Sequence, residues 1–137
     1  MSKIYFLSDV HLGAHSPEHE KELERRLLSF LNMVGREPDA MLVIAGDLFD
    51  FWFEYRHVVP RKHFRILGRL ALLSQDQDVH YMAGNHDFWL SSFMTEDIGI
   101  TVHPDDLVLE SGGKKIYIRH GDGLPKNDHG YRFLKKV

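Results

Sequence analysis

The sequence predicts a single α/β domain, and two observations carry that prediction. Short apolar runs of strand length alternate with helix-period patterns up to residue 83, and a polar cluster follows each run. A strand–helix–strand–helix–strand order is the signature of an α/β protein.

The first run, Ile4–Leu7, is β-branched or aromatic in part and reads as a buried strand. Residues 41–45, 79–83 and 116–118 read the same way. Between the first two, Leu23, Leu27, Phe30, Leu31 and Val34 recur at helical spacing. Glu18, Glu20, Glu22 and Glu24 crowd the first turns of that helix, where its dipole favours acids, and Gly35 and Pro38 stop it. A second helix pattern carries Phe64, Leu67, Leu70 and Ala71, with Pro60 suited to its first turn. After Asn85 the pattern changes. Short segments near 100–102, 107–109 and 115–118 are separated by Pro104-Asp105-Asp106 and by Gly112-Gly113, the second break being a hairpin turn. No repeat, low-complexity stretch or internal linker interrupts residues 1–137, so one domain is expected. Residues 131–137 begin like a helix and stop without a cap. The domain is therefore expected to be the N-terminal portion of a longer one, incomplete at the C-terminus.

Composition bounds the function. Of 137 residues, 43% are hydrophobic and 27% charged, which is ordinary globular usage. A chain of this length buries roughly 65–70% of its unfolded surface. With no cysteine, a disulfide scaffold, a thiolate zinc site and a cysteine nucleophile are excluded. A net charge of −3 gives no general reason to bind nucleic acid. No apolar run approaches the ~20 residues of a membrane span, and Asp9 comes too early for a signal peptide, so a cytoplasmic protein is expected.

The chemistry gathers where the strands finish. Ser8-Asp9-Val10-His11 follows the first strand, Gly46-Asp47-Leu48-Phe49-Asp50 the second, Gly84-Asn85-His86-Asp87 the third, and His120-Gly121-Asp122-Gly123 the last. Ligands bind beyond the carboxyl ends of strands in α/β sheets, so four clusters are expected on one rim. Aspartate, histidine and an asparagine carbonyl suit manganese, iron or zinc. Asp9 and His11, two apart at a strand end, are expected to point to one side. Glycine at 46, 84 and 121 lets the backbone turn sharply. An aspartate between two ligand sets can bridge a metal pair, which polarises phosphoryl groups and generates hydroxide at neutral pH.

In this order and spacing the four motifs resemble those of the calcineurin-like metallophosphoesterases. Within that superfamily the stretch Leu48-Phe49-Asp50-Phe51-Trp52 is most similar to the diacylglucosamine hydrolases of lipid A synthesis. The resemblance implies a β-sandwich flanked by helices in four layers, α/β/β/α. It implies two divalent metal ions, manganese with iron or zinc as alternatives, and a site in which Asp9 and His11 bind the first metal, Asp47 bridges, and Asn85 and His120 bind the second. Asn85, His86 and Asp87 form the catalytic group, His86 standing near the scissile phosphate with Asp87 or Asp50 as its partner. The implied reaction is hydrolysis of a pyrophosphate in UDP-2,3-diacylglucosamine, giving UMP and diacylglucosamine 1-phosphate, at the inner face of the membrane and by peripheral contact. The alternatives are a phosphatase or phosphodiesterase acting on a soluble nucleotide, and an inactive scaffold. Two features depart from the pattern. The late Gly-His-x-His segment lies outside the sequence, and one branch of the hydrolases has arginine where this chain has His86.

Two groups beside the motifs have a plain and a sharper reading. Phe49, Phe51, Trp52, Phe53 and Tyr55, with Phe88, Trp89 and Phe93, are either core packing or a wall for acyl chains, with Trp52 and Trp89 as substrate contacts. Arg61, Arg65 and Arg69 share a helix face that is either solvated or meets a pyrophosphate. Asp122 is a candidate partner for His120, and Asn127 and Asp128, with His15 and His129, are candidate substrate contacts.

Overall fold

A computed structural model describes residues 3–52, 59–83, 92–104 and 106–119. Four strands, β1 (Ile4–Leu7), β2 (Met41–Ile44), β3 (Asp78–Met82) and β4 (Thr101–His103), form one parallel sheet in the order β1-β2-β3-β4. The register pairs Ile4 with Met41, Met41 with Asp78, and His80 with Thr101. Helix α1 (Pro17–Arg36) connects β1 to β2, and α2 (Phe64–Asp76) connects β2 to β3. Strand order follows chain order, so right-handed crossovers place successive connections on the same face of the sheet. Leu27, Leu31 and Val34 of α1 and Ile66, Leu67, Leu70 and Leu73 of α2 accordingly pack in one core with Leu42, Ile44, Val79 and Tyr81.

The opposite face needs a different cover. Strands β5 (Leu107–Ser111) and β6 (Lys114–Ile118) form an antiparallel hairpin turning at Gly112-Gly113. Leu107 and Ile118 close a second core over Val43, Ala45 and Met82. Strand β2 is therefore covered on both sides, which explains its unbroken apolar run. His80 and His103 meet on the hairpin side of the sheet, with Nδ1 and Nε2 2.9 Å apart. The layers described are helices, parallel sheet and hairpin, consistent with an α/β sandwich of the expected kind.

Local chemistry sets the boundaries of α1. The Ser16 side chain accepts the His19 N–H, Pro17 occupies the first turn, and Glu18 and Glu20 stand near the positive end of the dipole. On its exposed face, hydrogen bonds from Arg25 and then Arg26 draw the Glu22 carboxyl down to about 2. At its C-terminus the Gln77 amide donates to the Val34 and Glu37 carbonyls at 2.8 and 2.6 Å.

One sequence expectation is corrected here. A 3₁₀ turn, Arg61–His63, precedes α2 and shifts the helical phase, so His63 is buried and Phe64 is 59% exposed. A π-helical turn, Phe93–Ile98, closes with Gly99 at φ 93 before β4 and has no counterpart in the sequence reading.

Candidate metal centre

Strands β1 and β2 end at Leu7 and Ile44, and the segments beyond them carry the candidate ligands. They run side by side. The Asp9 N–H donates to the Gly46 carbonyl at 3.2 Å, His11 to Asp47 at 3.0 Å, and Leu12 to Leu48 at 2.9 Å. The Asp50 N–H returns to the Leu12 carbonyl at 2.9 Å, and Leu12 bridges Phe49 in parallel. A main-chain hydrogen bond thus ties two candidate ligands, His11 and Asp47, directly together.

Asp9, His11 and Asp47 all hold left-handed backbone, with φ of 57°, 52° and 55°. Such conformations cost non-glycine residues about 1–2 kcal/mol each, least for aspartate and asparagine, and they cluster at functional sites. The sequence reading expected strand alternation to aim Asp9 and His11 to one side. The strand has already ended, and the left-handed turns do the aiming instead. His11 Nε2 lies 3.6 Å from Asp9 Oδ1 and 3.9 Å from Asp47 Oδ2. One ligand atom from each of the three residues falls within 4.8 Å of the others. Two carboxylate oxygens and an imidazole nitrogen facing a common point fit a divalent manganese, iron or zinc ion. Asp47 is buried, whereas Asp9 opens to solvent, which leaves a path for a ligand.

Asp50, which the sequence offers only as an alternative partner for His86, stands beside the ligands, and Tyr81, Asp106, Tyr117 and Arg119 carry no role in the sequence reading. Asp50 Oδ1 lies 3.7 Å from His11 Nδ1, on the far side of the ring from the carboxylates, so Asp50 faces His11. The buried Tyr81 hydroxyl accepts the Leu48 N–H at 3.3 Å, directly after Asp47. Asp106 and Arg119 form a two-pronged ion pair at 3.0 and 2.9 Å, joined by the Tyr117 hydroxyl. Arg119 and then Tyr117 hold the Asp106 carboxyl below the usual carboxylate range. The pair fastens the end of β6, one residue before His120. No sequence signal marked these roles, because each depends on contacts distant along the chain.

Other candidates fall elsewhere. Trp52 is 0% exposed and stacks on Phe49 at 4.6 Å and on Phe93 at 6.1 Å, so it belongs to the core rather than to a lipid-contacting wall. Phe51 is the outward aromatic, 62% exposed. His15 stacks on His19 and its Nε2 contacts the Val10 carbonyl at 3.2 Å. Arg65 pairs with Glu24 at 3.7 Å. His63 packs on Phe49, and burial, followed by the charge of Lys62, lowers its pKa. Asn85, His86, Asp87, Trp89, His120, Asp122, Asn127, Asp128 and His129 lie outside the described residues.

The family model for calcineurin-like phosphoesterases matches residues 2–136. The chain belongs to the calcineurin-like phosphoesterase family. Among curated proteins it is 44% identical over 122 residues to a UDP-2,3-diacylglucosamine hydrolase of Porphyromonas gingivalis, covering 88% of this chain and 46% of the relative. Proteins of the same name from Photorhabdus laumondii and Escherichia coli are 37% and 34% identical, each covering 96% of this chain and 53% of the relative. The chain spans about half the length of the curated relatives it matches. Among solved structures, a protein of unknown function from Aquifex aeolicus superposes with a TM-score of 0.60 at 18% identity, covering 100% of this chain and 72% of that one. That likeness supports the fold. The family membership and the fitted donor set agree that divalent metal ions belong at this site.

Proposed function

We propose that this chain carries the first part of a metal-dependent phosphohydrolase acting on UDP-2,3-diacylglucosamine. The observation that carries the chemistry is the convergence of Asp9, His11 and Asp47 on left-handed backbone beyond the ends of β1 and β2. The substrate is that named for its curated relatives. The reaction adds water across the pyrophosphate, breaking one phosphoanhydride P–O bond and giving UMP and 2,3-diacylglucosamine 1-phosphate.

Asp9 and His11 would hold one divalent ion, Asp47 would bridge to a second, and Asn85 and His120 would complete the second ion's shell. Bound metals of this kind polarise a phosphoryl group and lower the pKa of bound water. The chain's own groups do the rest. Asp50, facing Nδ1 of His11, favours the tautomer with the proton on that nitrogen and leaves Nε2 free as a ligand. Asn85 steadies charge developing on the phosphoryl oxygens. His86, supported by Asp87, donates a proton to the departing phosphate oxygen or stabilises its charge. No helix among the described residues is long and apolar enough to cross a membrane. Access to a lipid substrate would then be by peripheral contact at the inner face of the membrane, from the cytoplasm, with the outward Phe51 as one apolar contact.

The test is substrate preference in the full natural polypeptide with Mn²⁺. The proposal expects UMP release from UDP-2,3-diacylglucosamine to exceed hydrolysis of a water-soluble phosphodiester by at least tenfold in kcat/KM. The reverse preference would assign the site to soluble nucleotides, and metal binding without turnover of either would make it a scaffold.

A further inference from the structure

The turn that carries His11 is held from two flanks. On one side the loop after β2 takes the N–H groups of Asp9, His11 and Leu12. On the other side stands Glu20, in the first turn of α1. Its Oε1 accepts the Gly13 N–H at 2.8 Å and its Oε2 accepts the His15 N–H at 3.1 Å. Between these two bonds the Ala14 N–H closes a tight turn onto the His11 carbonyl at 3.1 Å. Gly13 sits at φ 105 and supplies the backbone freedom the turn requires. The Glu20 side chain is 24% exposed, and its Oε2 also lies 3.9 Å from His15 Nε2.

Left-handed backbone at Asp9 and His11 persists only where the surroundings over-determine it. The loop after β2 constrains that backbone up to Leu12, and the Glu20 carboxylate constrains the next three residues. From this geometry we propose that Glu20 is a positioning residue of the metal centre. It locks the 11–15 turn so that His11 Nε2 stays directed at Asp9 and Asp47. The inference rests on the metal-centre reading above, and Glu20 itself touches neither metal nor substrate.

A carboxylate is needed because both of its oxygens are in use. A glutamine offers one acceptor, and its amide N–H₂ would face a backbone N–H, so E20Q loses one bond and E20A loses both. Glu24 is the natural control. It lies one turn further along α1 and pairs with Arg65 at 3.7 Å, so E24Q removes the same charge without touching the turn.

The experiment titrates the full natural polypeptide, stripped of metal, with Mn²⁺ by calorimetry, and follows amide hydrogen exchange at Gly13 and His15. Loss of a group hydrogen-bonded directly to a metal ligand costs about 10–100-fold in affinity, and Glu20, which bonds the turn two to four residues beyond His11, is expected at the lower end of that range. E20A is expected to weaken Mn²⁺ binding about tenfold, with E20Q between E20A and the parent and E24Q unchanged. Exchange at Gly13 and His15 should quicken at least tenfold in E20A while the amides of Leu31 and Val34 stay protected. Faster exchange with unchanged Mn²⁺ affinity would overturn the inference, making Glu20 a purely structural clamp. An equal loss in E24Q would overturn it in favour of long-range charge. A parent protein that binds no Mn²⁺ would overturn the metal-centre reading and the inference with it.

Discussion

Replacing Asp47 with asparagine should make the protein more stable than the parent without metal and less stable than the parent with it. Asp47 and Asp9 offer carboxylate oxygens within 4.8 Å of each other, with His11 between them. Two unit charges at that separation repel by about 3.5 kcal/mol at an effective dielectric of ~20. Asp9 is more than a third exposed, so solvent screening reduces this to about 1 kcal/mol. Asparagine keeps the shape, tolerates the left-handed backbone at this position and removes the charge. At pH 8 and in the presence of a chelator, D47N should melt about 3–5 °C above the parent, the scale for ~1 kcal/mol in a domain of this size. With Mn²⁺ at a hundred times its Kd the parent gains about 2.7 kcal/mol, roughly 10 °C, and the variant gains almost nothing. Differential scanning calorimetry of both proteins in both conditions reads all four values. A variant that melts lower than the parent in chelator, or that gains as much from Mn²⁺, would refute the reasoning.

Other consequences are as direct. Trp52→Ala should cost about 3–5 kcal/mol in urea denaturation, the range for deleting a buried tryptophan, and a loss under 1 kcal/mol would remove Trp52 from the core. Burial lowers the pKa of His63 and of His103, with Lys62 and His80 respectively adding to the effect. The unfolded chain therefore binds more protons than the folded one below pH ~6.5. Stability should be full above that pH and fall as the solution is acidified through it. Urea midpoints that do not decline between pH 7.5 and 5.5 would contradict this. His86→Asn should leave Mn²⁺ affinity intact and lower kcat about 100-fold, and unchanged turnover would remove His86 from the chemistry.

Strand β2 was legible because burial on two faces leaves a plain record, whereas β1, also read as buried, leaves Phe6 46% exposed. Met41–Ile44 is covered by helices on one side and the hairpin on the other, and it reads as an unbroken apolar run. Helix α1 was legible through its apolar stripe and the acids crowding its first turns. The phase of α2 was not, because a 3₁₀ turn advances by three residues rather than 3.6 and exchanges His63 for Phe64 at the core. Phe51 and Trp52 were beyond sequence reasoning for a related reason. In an irregular segment no period says which aromatic turns inward, and the structure buries Trp52 beside Phe49. At the site, residue types and spacing pointed to Asp9, His11 and Asp47, which the structure brings together. The means of convergence was hidden, since left-handed backbone leaves no pattern in aspartate and histidine. Glu20 was hidden as well, because as one of four acids at the start of a helix it differs from its neighbours only in reaching back to Gly13 and His15.

The central claim is that Asp9, His11 and Asp47 form a metal centre, and its most direct test is anomalous diffraction from crystals of the full natural polypeptide grown with Mn²⁺. A strong manganese peak is expected with Asp9, His11 and Asp47 side-chain atoms at roughly 2.0–2.3 Å, and a second peak sharing Asp47. Manganese bound only away from these three residues, or absent from them at saturating concentration, would contradict the claim.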